Sequence, residues 1–163
     1  METMDQFLMR DFSISTKVAF QNLSPTLSTV QRNEVTSKVG KSIGLRIGTT
    51  LLADTFPFEW FKKSISQVIN GLALGQVEEI QICMNLLRET KFLVSISCFV
   101  DGENMANPLI PHSQKNGKLD LCCFKSGLLS GLVEQYLKRK NVTNEISCGE
   151  ANKGICRFEI LVR

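Results

Sequence analysis

The last third of the chain, from Leu119 to Arg163, constrains the fold most. A helix opening on Leu121-Cys122-Cys123-Phe124-Lys125-Ser126-Gly127 is followed by two strands that carry Glu145, Cys148 and Cys156. These three thiols, Cys122, Cys148 and Cys156, can meet the Glu145 carboxylate only where the helix lies against the strand pair. Such a ligand set suits a tetrahedral zinc ion. Thiolates bind zinc only once deprotonated, so metal binding would be coupled to folding of the segment. Cys122 is expected in the first turn of its helix, where the amide dipoles favour a thiolate. Cys148 and Cys156 flank one hairpin turn and share strand parity. Glu145, three residues before Cys148, faces the other side of a regular strand unless a bulge or bend turns it inward. Cys123 points elsewhere on the helix and is a substitute ligand.

The remaining cysteines, Cys83 and Cys98, read as small buried apolar residues. Residues 1–12 mix acids with apolar side chains and lack the apolar core of a signal peptide, so the six cysteines are expected to stay thiols in a reducing compartment. The sequon Asn141-Val142-Thr143 is then a chance match. No segment approaches the roughly 18 apolar residues of a membrane span. The net charge of +3 comes from scattered basic residues, with Lys138, Arg139 and Lys140 the only run, which argues against nucleic acid as the main partner. A cytoplasmic protein is expected. Its 163 residues suit one domain, read as residues 25–163 behind an N-terminal arm of residues 1–24.

Along the chain, Ser24-Pro25 is a helix start signal, and a helical pattern runs from about Leu27 to Asp54 with an apolar stripe of Val35, Val39, Ile43, Ile47 and Leu51. Gly40, Gly44 and Gly48 recur on a neighbouring face. Interior helix glycines cost on the order of 1 kcal/mol each relative to alanine, so something must approach closely there; helix packing is preferred to a ligand groove. Phe56, Phe58, Trp60 and Phe61 cluster around Pro57 and read as a core plug ahead of a lid over an apolar pocket.

A second helix spans Glu59 to about Leu72, with Phe61, Ile65, Val68, Ile69 and Leu72 at helical spacing. Ile80, Ile82 and Met84, then Phe92, Val94, Ile96, Cys98 and Val100, alternate as an antiparallel hairpin with one apolar face. Residues 101–118 are polar and rich in turn formers, and hold the only histidine, His112, which reads as solvated. A helix over about Asp120 to Lys140 shows Leu121, Phe124, Leu128, Leu132, Val133, Tyr136 and Leu137 at i, i+3 and i+4 spacing. Strands Val142 to Cys148 and Ile155 to Val162 close the chain. The order predicts an α+β fold with a four-stranded antiparallel sheet and helices packed on one face.

The pattern Cys122-Cys123-Phe124-Lys125-Ser126-Gly127-Leu128-Leu129-Ser130-Gly131-Leu132, then Glu145-Ile146-Ser147-Cys148, then Gly154-Ile155-Cys156-Arg157-Phe158 resembles the 4-vinyl reductase (hydrocarbon-binding) domain. The match is specific over the last 45 or so residues. The hairpin and the glycine-bearing first helix resemble the same domain and its structural relatives, the small subunits of the TRAPP vesicle-tethering complex and the haem-based nitric oxide sensors. The resemblance implies a homodimeric ligand-binding module of the nitric oxide signalling and Golgi transport type. In phenol-sensing transcription activators with this domain, three cysteines and a glutamate hold zinc beside an aromatic-ligand pocket. They correspond to Cys122, Cys148, Cys156 and Glu145. This chain shows no ATPase or DNA-binding domain of the kind those activators carry, so a signal would pass to a separate partner.

These readings converge on a non-catalytic sensor or carrier stabilised by structural zinc, taking an apolar, aromatic or tetrapyrrole ligand. The expected pocket walls are Phe56, Phe58, Trp60, Phe61 and Phe99. The rivals are a TRAPP-like protein-interaction scaffold and an accessory protein or reductase of bacteriochlorophyll-precursor metabolism. A reductase would lack a recognisable dinucleotide site, because no GxGxxG run is present.

Overall fold

Hydrophobic periodicity resolves into the predicted order of elements. The computed structural model describes residues 27–51, 57–72, 74–85, 89–97, 117–147 and 154–163, with the side chains of 117–121 excepted. The arm, the Ser24-Pro25 signal, Phe56, Cys98, Phe99, His112 and Cys148 lie outside the described residues. The helices are α1 (Thr29–Leu51), α2 (Phe58–Gly71) and α3 (Gly117–Leu137); the strands are β1 (Gln76–Met84), β2 (Thr90–Ser97), β3 (Asn141–Ser147) and β4 (Ile155–Val162).

α1 starts on a reciprocal cap. The Gln31 amide donates to Ser28 Oγ at 3.3 Å and the Ser28 amide donates to Gln31 Oε1 at 3.0 Å, a capping box that satisfies two otherwise orphaned donors. The described helix therefore begins at Thr29, two residues after the expected Leu27. In α2 the sequence stripe is the buried face: Phe61, Ile65, Val68, Ile69 and Leu72 are all buried.

The interior glycines explain how α1 and α3 meet. A Cβ on Gly40 would strike the carbonyl oxygen of Phe124, and one on Gly44 that of Leu128; reciprocally, Gly127 faces the Ser37 carbonyl and Gly131 that of Lys41. Residue numbers rise together along both helices, so they run side by side in the same direction with backbone against backbone. The packing alternative holds, and its partner is intramolecular. A half-exposed ion pair, Lys41 to Glu134 at 2.6 Å, crosses the same seam.

α3 is buried on nearly every side from Cys122 to Val133, more than the single stripe read from the sequence. Its neighbours account for this, since it packs against α1, α2, β3 and β4. The sheet order is β1-β2-β4-β3, antiparallel throughout. In the central strands Phe92, Val94 and Ile96 of β2 and Cys156, Phe158, Ile160 and Val162 of β4 point into the core that they share with the helices. β1 is an edge strand and its apolar face tapers: Ile80 is buried, but Met84 is 73% exposed. Cys83, on the same strand, is exposed, so its reading as a buried residue is corrected. The β1–β2 turn is closed by Asn85 and Glu89, with the Glu89 amide donating to Asn85 Oδ1 at 2.9 Å and Asn85 Nδ2 to Glu89 Oε2 at 2.7 Å.

Candidate metal centre

Three elements bring the sulfur and carboxylate groups together. Cys122 comes from α3, Glu145 from β3 and Cys156 from β4, and their ligand atoms all lie within 4.8 Å of one another. Both thiols are buried, and Cys122 Sγ stands 3.7 Å from Cys156 Sγ. Two thiolates on one zinc, at the usual bond length of about 2.3 Å and a tetrahedral angle, stand about 3.8 Å apart. The observed separation leaves room for two sulfurs to share a metal ion, is equally that of a thiol–thiol contact, and is too long for a disulfide bond. Glu145 Oε1 is buried without a hydrogen-bond partner, as is Ser147 Oγ two residues on. An orphaned buried carboxylate oxygen costs several kcal/mol unless a cation meets it, so the donor set fits a divalent metal better than it fits an empty core.

The side on which Glu145 emerges is fixed by the backbone. β3 pairs Glu145 with Phe158 and Ser147 with Arg157, so two steps on β3 oppose one on β4 and Ile146 is the extra residue of a bulge. Before the bulge, Asn141, Thr143 and Glu145 face α3 while Val142 and Asn144 face away, which sets Glu145 toward the thiols. The bulge lies beyond Glu145, and past it Ser147 is still half-buried with its hydroxyl enclosed.

One local expectation is corrected. α3 begins at Gly117, so Cys122 stands in its second turn, beyond the first-turn amides expected to favour a thiolate. Cys123 is half-buried and does not belong to the cluster. Cys148, the expected fourth ligand, lies outside the described residues.

Of the expected ligand-binding aromatics, Phe58 and Phe61 join a ring cluster that the sequence reading did not complete. Phe61 stacks on Tyr136 with centroids 4.0 Å apart and meets Phe92 edge-on at 5.8 Å, and Phe58 lies 6.2 Å from both Phe61 and Phe92. Phe92 and Tyr136 were each legible as core positions, from strand alternation and helical spacing, but nothing local tied them to Phe61. Burial raises the Tyr136 pKa above the ordinary tyrosine value. Trp60 points away from this cluster: it is 56% exposed, with Lys63 Nζ 5.7 Å from its ring centre.

No protein-family model matches the sequence, and no curated protein matches it. Solved structures do. A vinyl-4-reductase family protein from Methanocaldococcus jannaschii superposes with a TM-score of 0.50 at 19% identity, covering 95% of this chain and 81% of that one. A trafficking protein particle complex subunit 3 from Naegleria fowleri, covalently bound to palmitic acid, gives 0.51 at 12% identity over 98% and 94%. The phenol-responsive sensory domain of the transcription activator PoxR, with phenol, gives 0.51 at 12% over 93% and 74%. The chain shares the α+β fold of these proteins.

Proposed function

We propose that this chain is a zinc-stabilised, non-catalytic small-molecule-binding module, acting in the cytoplasm as a sensor or carrier for an apolar or aromatic ligand. The convergence of Cys122, Glu145 and Cys156 from three elements carries the proposal, because a fold used only as a scaffold has no need of two buried thiols and an orphaned carboxylate at metal-ligand spacing. Cys148 is the residue proposed as the fourth donor. Four protein ligands leave no open position for substrate, so the ion is structural: it pins the β3–β4 hairpin to α3. When bound, it supplies charge neutralisation for the thiolates and the carboxylate.

The ligand side of the proposal draws support from the fold, which is shared with a protein solved with phenol and another bound to palmitic acid. Phe58 and Phe61 are the described candidates for its wall; of the rest of the expected set, Trp60 stands exposed and turned away from them, and Phe56 and Phe99 lie outside the described residues. The homodimer and a separate signalling partner belong to the same proposal. A dimer interface must lie elsewhere than on Gly40, Gly44, Gly127 and Gly131, whose close approach is spent within the chain. Among the described residues no helix is long and apolar enough to cross a membrane.

One observation favours the scaffold as a second reading. Phe61 is fully buried and stacked flat on Tyr136, the packing of a filled core. Native mass spectrometry of the full chain with phenol and then palmitate separates the two: a retained ligand of either class supports the module, and no adduct with either supports the scaffold.

A further inference from the structure

α3 and β3 meet as a ladder. The helix presents Ser130, Ser126 and Cys122, each four residues before the last, and the strand presents Asn141, Thr143 and Glu145, each two residues after the last. Ser130 Oγ donates to Asn141 Oδ1 at 2.8 Å, and Asn141 Nδ2 donates back to the Ser130 carbonyl at 2.9 Å. On the next rung Ser126 Oγ donates to the Thr143 carbonyl at 3.4 Å, while Thr143 Oγ1 donates to Asn141 Oδ1 at 3.2 Å. The last rung is Cys122 with Glu145. Four helix residues rise about 6 Å and two strand residues about 6.6 Å, so the two series stay in step over three rungs.

We propose that Asn141 is the positioning residue of the metal centre, acting with Ser130 to set the register of β3 along α3 and so to hold the Glu145 carboxylate at the thiols. This rests on the metal reading above. Ser130 is 7% exposed, and the two-way bond uses both ends of the Asn141 amide, so sliding β3 along α3 would break two hydrogen bonds in a sheltered site. Asn141 also opens β3 directly after the short Lys138-Arg139-Lys140 connection that ties the strand to the end of α3. Neither residue carries a metal-ligand atom of the cluster.

The test adds cobalt(II) chloride to the reduced, metal-free full chain and records the visible and near-ultraviolet spectrum. The wild type is expected to show thiolate-to-cobalt charge transfer with intense bands of tetrahedral cobalt. Asn141→Ala should bind cobalt about 10–100-fold more weakly, the usual effect of losing a residue that orients a ligand, with weaker tetrahedral bands and the charge transfer retained. Ser130→Ala, which keeps the carbonyl rung, should lie between the two and serves if Asn141→Ala does not fold. The decisive comparison is Asn141→Ala in a Glu145→Gln background. If Asn141 acts through Glu145, the second change adds nothing to the affinity loss; if its effect is general loosening, the losses add and the proposal is overturned. Wild-type affinity and spectrum in both Asn141→Ala and Ser130→Ala would also overturn it while leaving the metal reading standing. Absence of charge transfer in the wild type would remove both.

Discussion

At Cys122 and Cys156 the chemistry follows from two buried sulfur atoms 3.7 Å apart, with Glu145 Oε1 unpartnered beside them. Replacing Cys156 by Ser keeps the volume nearly constant but removes the soft donor. Zinc retained by the reduced protein after dialysis against a competing chelator should then fall close to zero by elemental analysis, and unchanged retention would count against Cys156 as a ligand. Tyr136 allows a separate test, since it is the only tyrosine. Its burial against Phe61 favours the neutral phenol, so its absorbance titration should have a midpoint above about 10. A folded-state pKa raised in this way means that the native protein holds the proton more tightly than the unfolded chain. The stability it contributes is present at neutral pH and is lost as pH climbs past about 10. A midpoint at or below 10 would show Tyr136 more exposed than its stacking implies. The thiols were legible in the sequence because metal-ligand chemistry has few side-chain types to draw on. The side on which Glu145 emerges was not, because it depends on the pairing of Glu145 with Phe158, a register set by the partner strand.

Among the elements, the α1–α3 pair has the least tolerance. At Gly44 and Gly127 the atoms a side chain would meet belong to the opposite backbone, which cannot rotate away as a side chain can. Gly127→Ala is expected to cost about 1–3 kcal/mol in urea unfolding, the range for overpacking, and Gly44→Leu to separate the helices altogether. An alanine variant as stable as the wild type would mean that the seam is looser than described. Gly75 is constrained twice: its φ is +134°, and a Cβ there would come within 2.8 Å of Ile96 Cγ2. Gly75→Ala should therefore also lower the melting temperature, read by circular dichroism. Helix spacing made α1 and α2 legible, down to the buried Ile65 and Ile69 face of α2. α3 was under-read, because a helix with neighbours all round leaves no polar face to mark its orientation. β1 was over-read, because alternation at Ile80, Ile82 and Met84 cannot reveal that the strand ends as a sheet edge with Met84 in solvent.

For the whole molecule, the order of elements predicted the α+β class, but the strand order β1-β2-β4-β3 depends on the pairing of β2 with β4, residues separated by α3 and β3. Such long-range pairing leaves no local trace. It makes α3, bounded by α1 on one side and the β3–β4 hairpin on another, the element through which the proposed metal ion would act on the fold. Structural zinc in small sites is worth roughly 10–16 kcal/mol, so chelation should destabilise at least the α3–β3–β4 half and lower the overall melting temperature. The most direct measurement is native mass spectrometry of the reduced, freshly purified full chain. The expected spectrum shows each chain carrying one zinc ion, lost on acid denaturation. A folded chain at its metal-free mass, with Cys122 and Cys156 both alkylated by a thiol reagent once denatured, would contradict the account.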